Sequence, residues 1–354
     1  MLKFFISLAA VIVRFYYFSC QCFFVLGSRR QSYFMLSEFQ FLENLRNKYS
    51  LTKIGDDCAV LPKNSQTDLV ITTDLLVEDI DFRLDWSKPE FVGHKALAVS
   101  LSDVAAMGAK PVWSMVSIGV PEKIWKTDFV DEFYEGYLNL ANKFGVELIG
   151  GDVSKTPDKI VIDSIAAGEV KKNKAVLRSG AKAGDLIFVT GEVGGATAAL
   201  KLLEKGERFG NSVFNNLLLR QLAPNPQTEI GRIIGEKALA TTMIDLSDGL
   251  SSDLTHICEA SKVGAKIFVE KIPVESKILD FEFETEDEIS FVLNGGEDFE
   301  LLFTVRPKII FQLQNELKNR QISHIGEITA NAEIIELNSD KKSWILEPEG
   351  FRHF

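Results

Sequence analysis

Lys95-Ala96-Leu97-Ala98-Val99-Ser100-Leu101-Ser102-Asp103 is small and apolar almost all round, and it ends on a carboxylate. A helix with no polar face belongs in the interior of a protein. The helix dipole disfavours negative charge on its last turn, which is where Asp103 falls. As a surface residue Asp103 is misplaced; as a metal ligand its charge is offset. The spacing predicts a helix over 90–107, with Gly108 just past its end and Pro111 beyond.

Five more aspartates share this kind of setting. They are Asp57 in Ile54-Gly55-Asp56-Asp57, Asp74 in Thr72-Thr73-Asp74, Asp152 in Gly150-Gly151-Asp152, and the pair Asp245 and Asp248 in Ile244-Asp245-Leu246-Ser247-Asp248-Gly249. Each reads as a Gly-, Ser- or Thr-flanked turn at the edge of an apolar stretch. Carboxylates are poor strand formers and costly to bury alone, so their recurrence at strand ends points to shared cations. Oxygen ligands without a histidine or thiolate set favour magnesium, the usual companion of nucleotide phosphates. Asp248 alone could be the N-cap of a helix opening at Gly249. Capping does not account for Asp245 and Ser247 as well.

Around these motifs strands and helices alternate. Strands are expected over 69–73, 112–120, 146–149 and 160–168, with a long amphipathic helix over 125–144. The charged segment Lys171-Lys172-Asn173-Lys174 reads as a boundary. Beyond it come strands over 185–190, 242–244, 266–269, 299–305 and 324–328, and helices over 195–203, 228–239, 250–260 and 308–318. This is mixed α/β in two units, 35–170 and 171–354. A chain of 354 residues, 46% hydrophobic and 25% charged, is long enough for two globular cores.

A net charge of −11 argues against a nucleic-acid partner, though not against small phosphorylated ligands bridged by a cation. The 4 cysteines form neither a disulfide ladder nor a paired zinc motif, which fits a reducing, cytoplasmic setting. Residues 1–34 differ in character, with aromatic and apolar runs broken by Arg14 and Arg29-Arg30. They lack a small-residue cleavage site and are too interrupted for a spanning helix. They read as a misassigned start or dispensable leader, with a membrane anchor as the alternative. Met35 opens a different sequence, in which Ser37 with Gln40 forms a capping box and Phe39, Leu42 and Leu45 a helical stripe.

Gly191-Glu192-Val193-Gly194-Gly195 has neither a P-loop ending nor dinucleotide-fold spacing, and reads as a tight connection. Gly295-Gly296-Glu297-Asp298 can present an acid to a small ligand, and a plain loop-to-strand turn has the same spacing. Arg178 is the best lone cation for a phosphate. His94, His256, His324 and His353 show no ligand spacing and receive no role.

Together the motifs resemble the thiamine-monophosphate kinase family, within the superfamily that includes aminoimidazole ribonucleotide synthetase. The resemblance runs from about Ser37 to Phe354 and rests on Ile54–Asp57, Lys95–Asp103, Ile149–Asp152, Ile244–Gly249 and Gly295-Gly296-Glu297-Asp298-Phe299-Glu300-Leu301. It implies an ATP-dependent kinase that converts thiamine monophosphate to thiamine diphosphate. It also implies a homodimer whose N-terminal sheets pair into a barrel, with an α/β C-terminal domain. By motif match, Asp57, Thr72, Thr73, Asp74, Asp103, Asp152, Asp245 and Asp248 would hold several magnesium ions. Gly151, Asp152, Arg178 and Ser247 would contact ATP, with Tyr134 at a position that can meet the nucleotide. Asp81, Glu297 and Phe351 would contact thiamine monophosphate. Position 81 varies between histidine and aspartate among relatives, and Phe351 can stack on the thiamine rings but not hydrogen-bond to them. Asp56 is expected to tolerate substitution better than Asp57.

The implied acceptor is a phosphate monoester with a second pKa of about 6, largely a ready anion near neutrality, so no general base is required. A selenophosphate synthetase would need a reactive cysteine in a glycine-rich segment, which Cys58 lacks. A hydrogenase-maturation relative would end in a cysteine, whereas the last cysteine is Cys258. The alternatives that stay open are a purine-biosynthesis ligase of the same superfamily and a membrane-tethered divalent-cation-binding protein.

Overall fold

A computed structural model describes residues 38–276, 278, 288–332, 334–347 and 349–351. The reading of 1–34 as a leader lies outside the described residues, as does Ser37 of the capping box. The helix expected after Met35 forms as α1 (Glu38–Tyr49), in a compact unit separate from Thr52–Phe351.

The larger unit opens with a sheet built from β1 (Ala59–Pro62), β2 (Thr67–Val77), β3 (Lys110–Pro121), β4 (Glu147–Thr156) and β5 (Val161–Lys171), in the order β1-β2-β5-β3-β4. Between β2 and β3 runs α2 (Pro89–Ala106), the helix expected over 90–107. It is buried at nearly every position from Val92 to Ala106, as its all-round apolar sequence requires. Between β3 and β4, which are parallel, α3 (Phe129–Phe144) makes the crossover and turns Phe133, Tyr137 and Leu140 inward. The helix expected over 125–144 is shorter than its pattern. The Thr127 hydroxyl donates to the carbonyl of Ile124 at 2.7 Å and accepts the N–H of Phe129 at 3.3 Å. That side chain closes the preceding turn, Glu122–Trp125, and starts α3 afresh.

Two aspartates expected in turns lie inside longer strands. β2 carries Asp74 opposite Ser164 of β5, and β4 runs straight through Gly150, Gly151 and Asp152. In β2 the carboxylate accepts the hydroxyl of Ser100 near the end of α2, which replaces the solvent a turn would offer. In β4, an edge strand exposed along most of its length, a carboxylate loses little hydration.

The second sheet has the order β12-β11-β8-β10-β6-β9-β7. Its strands are β6 (Leu186–Thr190), β7 (Thr242–Asp245), β8 (Gly264–Phe268), β9 (Leu301–Val305), β10 (Ile322–Thr329), β11 (Ile335–Asn338) and β12 (Ser343–Ile345). Its helices are α4 (Gly195–Glu204), α5 (Asn215–Leu222), α6 (Thr228–Lys237), α7 (Leu250–Ser261), α8 (Glu288–Asn294) and α9 (Ile310–Glu316). The sequence pattern did not mark β1, β11, β12, α5 or α8. β9 starts later than expected because Phe299 adopts φ +50, outside strand geometry.

Both faces of this sheet are covered. Ile187, Val189 and Leu302 pack with Leu250, Leu254 and Ile257 of α7. The alternate residues Phe188, Leu301 and Phe303 pack with Ile230 and Ile234 of α6, and with Ala105 and Ala106 at the end of α2. The last turn of α2 thus enters the core of the second half. Gly231 permits this, since a Cβ there would stand 2.2 Å from the carbonyl oxygen of Ala105. Asp103 is brought to the mouth of β7, where Asp245 ends the strand. Among the described residues no helix is long and apolar enough to cross a membrane.

Candidate active site at an acidic cluster

Asp57, Asp103 and Asp245 converge so that one oxygen from each lies within 4.8 Å of the others. Each comes from a different element: the loop before β1, the last turn of α2, and the end of β7. Thr72 and Asp74 point inward from the same face of β2. The Thr72 hydroxyl donates to Asp103 at 2.5 Å, and Ser100 of α2 donates to Asp74 at 2.7 Å. Ser102 reaches across to donate to Asp245 at 2.6 Å. Arg178 donates to Asp57 Oδ1 through Nη2 at 2.6 Å and Nε at 3.2 Å. Its backbone N–H donates to Asp56 at 2.8 Å.

The electrostatics are unfavourable for carboxylates left to themselves. Burial lifts Asp245 to about 8, and the charge of Asp57 adds to that against the opposing Ser102 hydrogen bond. Burial, then Asp74, Asp245 and Asp57, push Asp103 well above the usual carboxylate range. Burial holds Asp74 at about 6 in spite of the Ser100 hydroxyl. Burial disfavours the charge of Arg178, but Asp57, Asp245 and Asp103 outweigh it and keep the guanidinium protonated. Asp57 Oδ2 is buried without a hydrogen-bond partner. Oxygen donors only, an orphaned buried oxygen and mutual repulsion make a set that fits a hard divalent cation. Cys58 beside it is no nucleophile, because burial and the same carboxylates push its thiol well above its ordinary value.

The two aspartates of Ile244–Gly249 part company. Asp245 joins the cluster, while Asp248 stands with Asp253 and His256 in a second group whose donor atoms lie within 4.8 Å of one another. Asp248 does not cap α7. The buried carboxylate of Asp253 accepts the backbone N–H groups of Asp248 at 3.2 Å and Gly249 at 3.1 Å. Asp253 was not singled out from the sequence, and His256 was read as lacking ligand spacing and given no role; the i, i+3 spacing of the two on one helix is the signal that was there.

Asp81 and Glu297 are joined by a third residue. The Nζ of Lys95 donates to the carbonyl of Asp81 at 2.9 Å and pairs with Glu297 Oε1 at 2.6 Å. Glu297 Oε2 accepts from the side-chain amide of Gln221 on α5. Lys95 was legible as the one charge within an apolar stretch of helix; Gln221 carried no signal. Ser247 offers its carbonyl to the N–H of Glu297 at 2.8 Å.

Other expected residues lie apart from the three-carboxylate group. Thr73 points to the opposite face of β2 and donates to Asp163 at 2.6 Å. Gly151 and Asp152 lie on exposed β4. A Cβ at Gly151 would fall 1.8 Å from the carbonyl oxygen of Val116, so that position is closed to side chains. Tyr134 is half-buried on α3, edge-on to Phe133 at 5.3 Å. Phe351 exposes half its surface and donates its N–H to the carbonyl of Asp248 at 3.0 Å. The glycine-rich loop before α4 is a structural connection, as read: Asp298 accepts the N–H groups of Gly194 at 2.5 Å and Ala196 at 3.1 Å.

The AIR synthase related protein family models match this chain twice, the N-terminal domain over residues 55–170 and the C-terminal domain over 182–337. The thiamine-monophosphate kinase of Buchnera aphidicola subsp. Schizaphis graminum is 38% identical over 327 residues, covering 90% of this chain and 98% of that relative. The thiamine-monophosphate kinase of Bacillus subtilis is 38% identical over 308 residues, covering 85% of this chain and 93% of its own. The solved structure of AaThiL complexed with AMPPCP and TMP matches with a TM-score of 0.81 at 31% identity, covering 93% of this chain and 100% of that one.

Proposed function

The chain belongs to the AIR synthase related family and, within it, to the thiamine-monophosphate kinases; from that premise we propose that it transfers the γ-phosphoryl group of ATP to thiamine monophosphate, giving thiamine diphosphate. It is a phosphotransferase with a phosphate group as acceptor. The observation that carries this reading is the convergence of Asp57, Asp103 and Asp245, drawn from both halves of the fold onto one point.

Asp57, Asp103 and Asp245, with Asp74 and Thr72 behind them, are the residues that would hold magnesium. Thr73, Asp152 and Asp248 complete the set by motif. When bound, magnesium supplies charge neutralisation and alignment of phosphoryl oxygens. Arg178 is held charged beside the cluster, which supports its reading as a contact for ATP phosphates, with Ser247, Gly151, Asp152 and Tyr134 as further nucleotide contacts. Asp81, Glu297 and Phe351 are the acceptor contacts. The acceptor phosphate arrives already ionised, so the chain's work is to bind, to orient and to exclude water. Burial of Asp103 and Asp245 supports that last role, since it marks the cluster as poorly hydrated.

The dimer implied by the family is supported by β4, which among the described residues is paired on one side only and exposes Ile149 and Val153. A cytoplasmic setting fits free, buried Cys58 and Cys258. The decisive experiment incubates the purified full chain with ATP and thiamine monophosphate across a magnesium titration. Thiamine diphosphate is expected only when magnesium is present. A folded protein that makes none at any magnesium concentration overturns the assignment.

A further inference from the structure

Lys95 is a buried cation whose side chain is only 4% exposed, set in a helix that is buried along most of its length. Burying an ammonium is costly unless it is paired and hydrogen-bonded, and here both partners are on the acceptor side of the site. One is the carbonyl of Asp81 at 2.9 Å; the other is Glu297 Oε1 at 2.6 Å. Gln221, itself 7% exposed, donates to the second oxygen of the same carboxylate. Both oxygens of Glu297 therefore have a fixed donor, one from each half of the fold.

The backbone singles out the same residue. Glu297 adopts φ +67, a left-handed conformation that L side chains disfavour. Gly295 and Gly296 immediately precede it, each where a Cβ would fall 2.5 Å or less from a backbone oxygen. The chain thus has glycine where space demands it and a carboxylate where the conformation would favour glycine. Strain of this kind persists when neighbouring contacts over-determine it, as Lys95, Gln221 and the Ser247 carbonyl do here.

We propose that Lys95 and Gln221 are positioning residues for the acceptor, clamping the two oxygens of Glu297 so that its remaining lone pairs point in one direction. The inference rests on the reading of Glu297 as an acceptor contact. A carboxylate already paired with an ammonium attracts a cationic heteroaromatic ring weakly by charge alone. It discriminates by hydrogen-bond direction instead, and a site built to hydrogen-bond its substrate rejects analogues that cannot reciprocate. Through the Asp81 carbonyl, Lys95 also fixes the turn that carries a second of the acceptor contacts.

Steady-state kinetics on the full chain test this, with Gln221→Leu and Lys95→Met compared against Glu297→Gln. All three are expected to raise KM for thiamine monophosphate by about tenfold to a hundredfold, the usual cost of losing a group that orients a binding residue. KM for ATP should stay within about twofold of the unaltered protein, because the side chains of Lys95, Gln221 and Glu297 are not among the proposed nucleotide contacts. Gln221→Leu introduced into the Glu297→Gln background should cost nothing further, since both act through one carboxylate. If Glu297→Gln raises the acceptor KM but Gln221→Leu and Lys95→Met do not, the positioning role is overturned and the acceptor site stands. Additive losses in the double variant, or equal losses toward ATP, also overturn it. If Glu297→Gln leaves the acceptor KM unchanged, the acceptor reading of Glu297 falls and the clamp with it. Should Lys95→Met fail to fold, Gln221→Leu and the double variant decide the matter alone.

Discussion

Asp57 uses its two oxygens differently: Oδ1 is taken by Arg178, and Oδ2 is buried with no donor. With Asp103 and Asp245 alongside, one guanidinium stands against several carboxylates, and the surplus charge has to be neutralised by protons or by cations. Asp103→Asn and Asp245→Asn are therefore expected to lower kcat by roughly 10²–10³-fold, the scale of losing one preorganised charge at a reacting phosphoryl group. Their melting temperatures should match or exceed the unaltered value, because each replaces a carboxyl whose ionised form is disfavoured by burial and by neighbouring carboxylates. A variant that unfolds would favour a structural role. The sign of the pH dependence follows from Asp245, at about 8 when folded and about 4 when unfolded. Between those values the folded state binds the extra proton, so this contribution is present at low pH and is lost as pH rises through about 8. Chelated protein should melt at progressively lower temperature from about pH 6 to about pH 8.5, and Asp245→Asn should flatten that slope. Calorimetry in excess chelator checks both. Asp103 could be read from sequence because its position on a helix is anomalous by itself. Asp253 and Gln221 could not, because an aspartate near a helix start and a glutamine in a short helix are ordinary until tertiary structure supplies their partners. Asp56 is a related case. Expected to tolerate substitution better than Asp57, it accepts the backbone N–H of Arg178, so a change there would reach the cluster through Arg178.

Among the elements, α2 and α3 approach closely enough that their backbones touch. A Cβ at Gly93 would fall 1.9 Å from the carbonyl oxygen of Phe133, and one at Gly136 would fall 1.9 Å from that of Glu90. The two glycines face each other's helix reciprocally, which fixes the height of α2 over the first sheet and so the placement of Asp103 and Lys95. Gly136→Ala should destabilise the fold by roughly 1–3 kcal/mol, the usual cost of overpacking. Urea unfolding measures it, and an unchanged midpoint would mean the helices can separate without penalty. Long elements were legible, α2 from its nearly continuous apolar run and α3 from its amphipathic period. α5 was not, because Asn215–Leu222 is short and follows a loop with no capping signal. β4 was read too short because two glycines and an aspartate mark a turn unless a neighbouring strand supplies the hydrogen bonds, and β3 does so along most of its length.

At the scale of the whole molecule, the alternation of strands and helices was enough to give two mixed sheets, but not their order or the entry of α2 into the second core. Those depend on contacts far apart in sequence, such as Ser102 with Asp245. Among the described residues β4 has one unpaired edge, and that edge bears on assembly. An unpaired, partly apolar strand invites pairing with a second copy. Val153→Asp should convert a dimer to a monomer by light scattering; a monomeric unaltered protein would refute this interface. Asp298 has a different kind of consequence. By accepting the N–H groups that open α4, it supplies the chain's own anion where a P-loop enzyme seats a phosphate. An inhibitor carrying a phosphate mimic aimed at that glycine loop would find the berth already filled by the chain's own carboxylate.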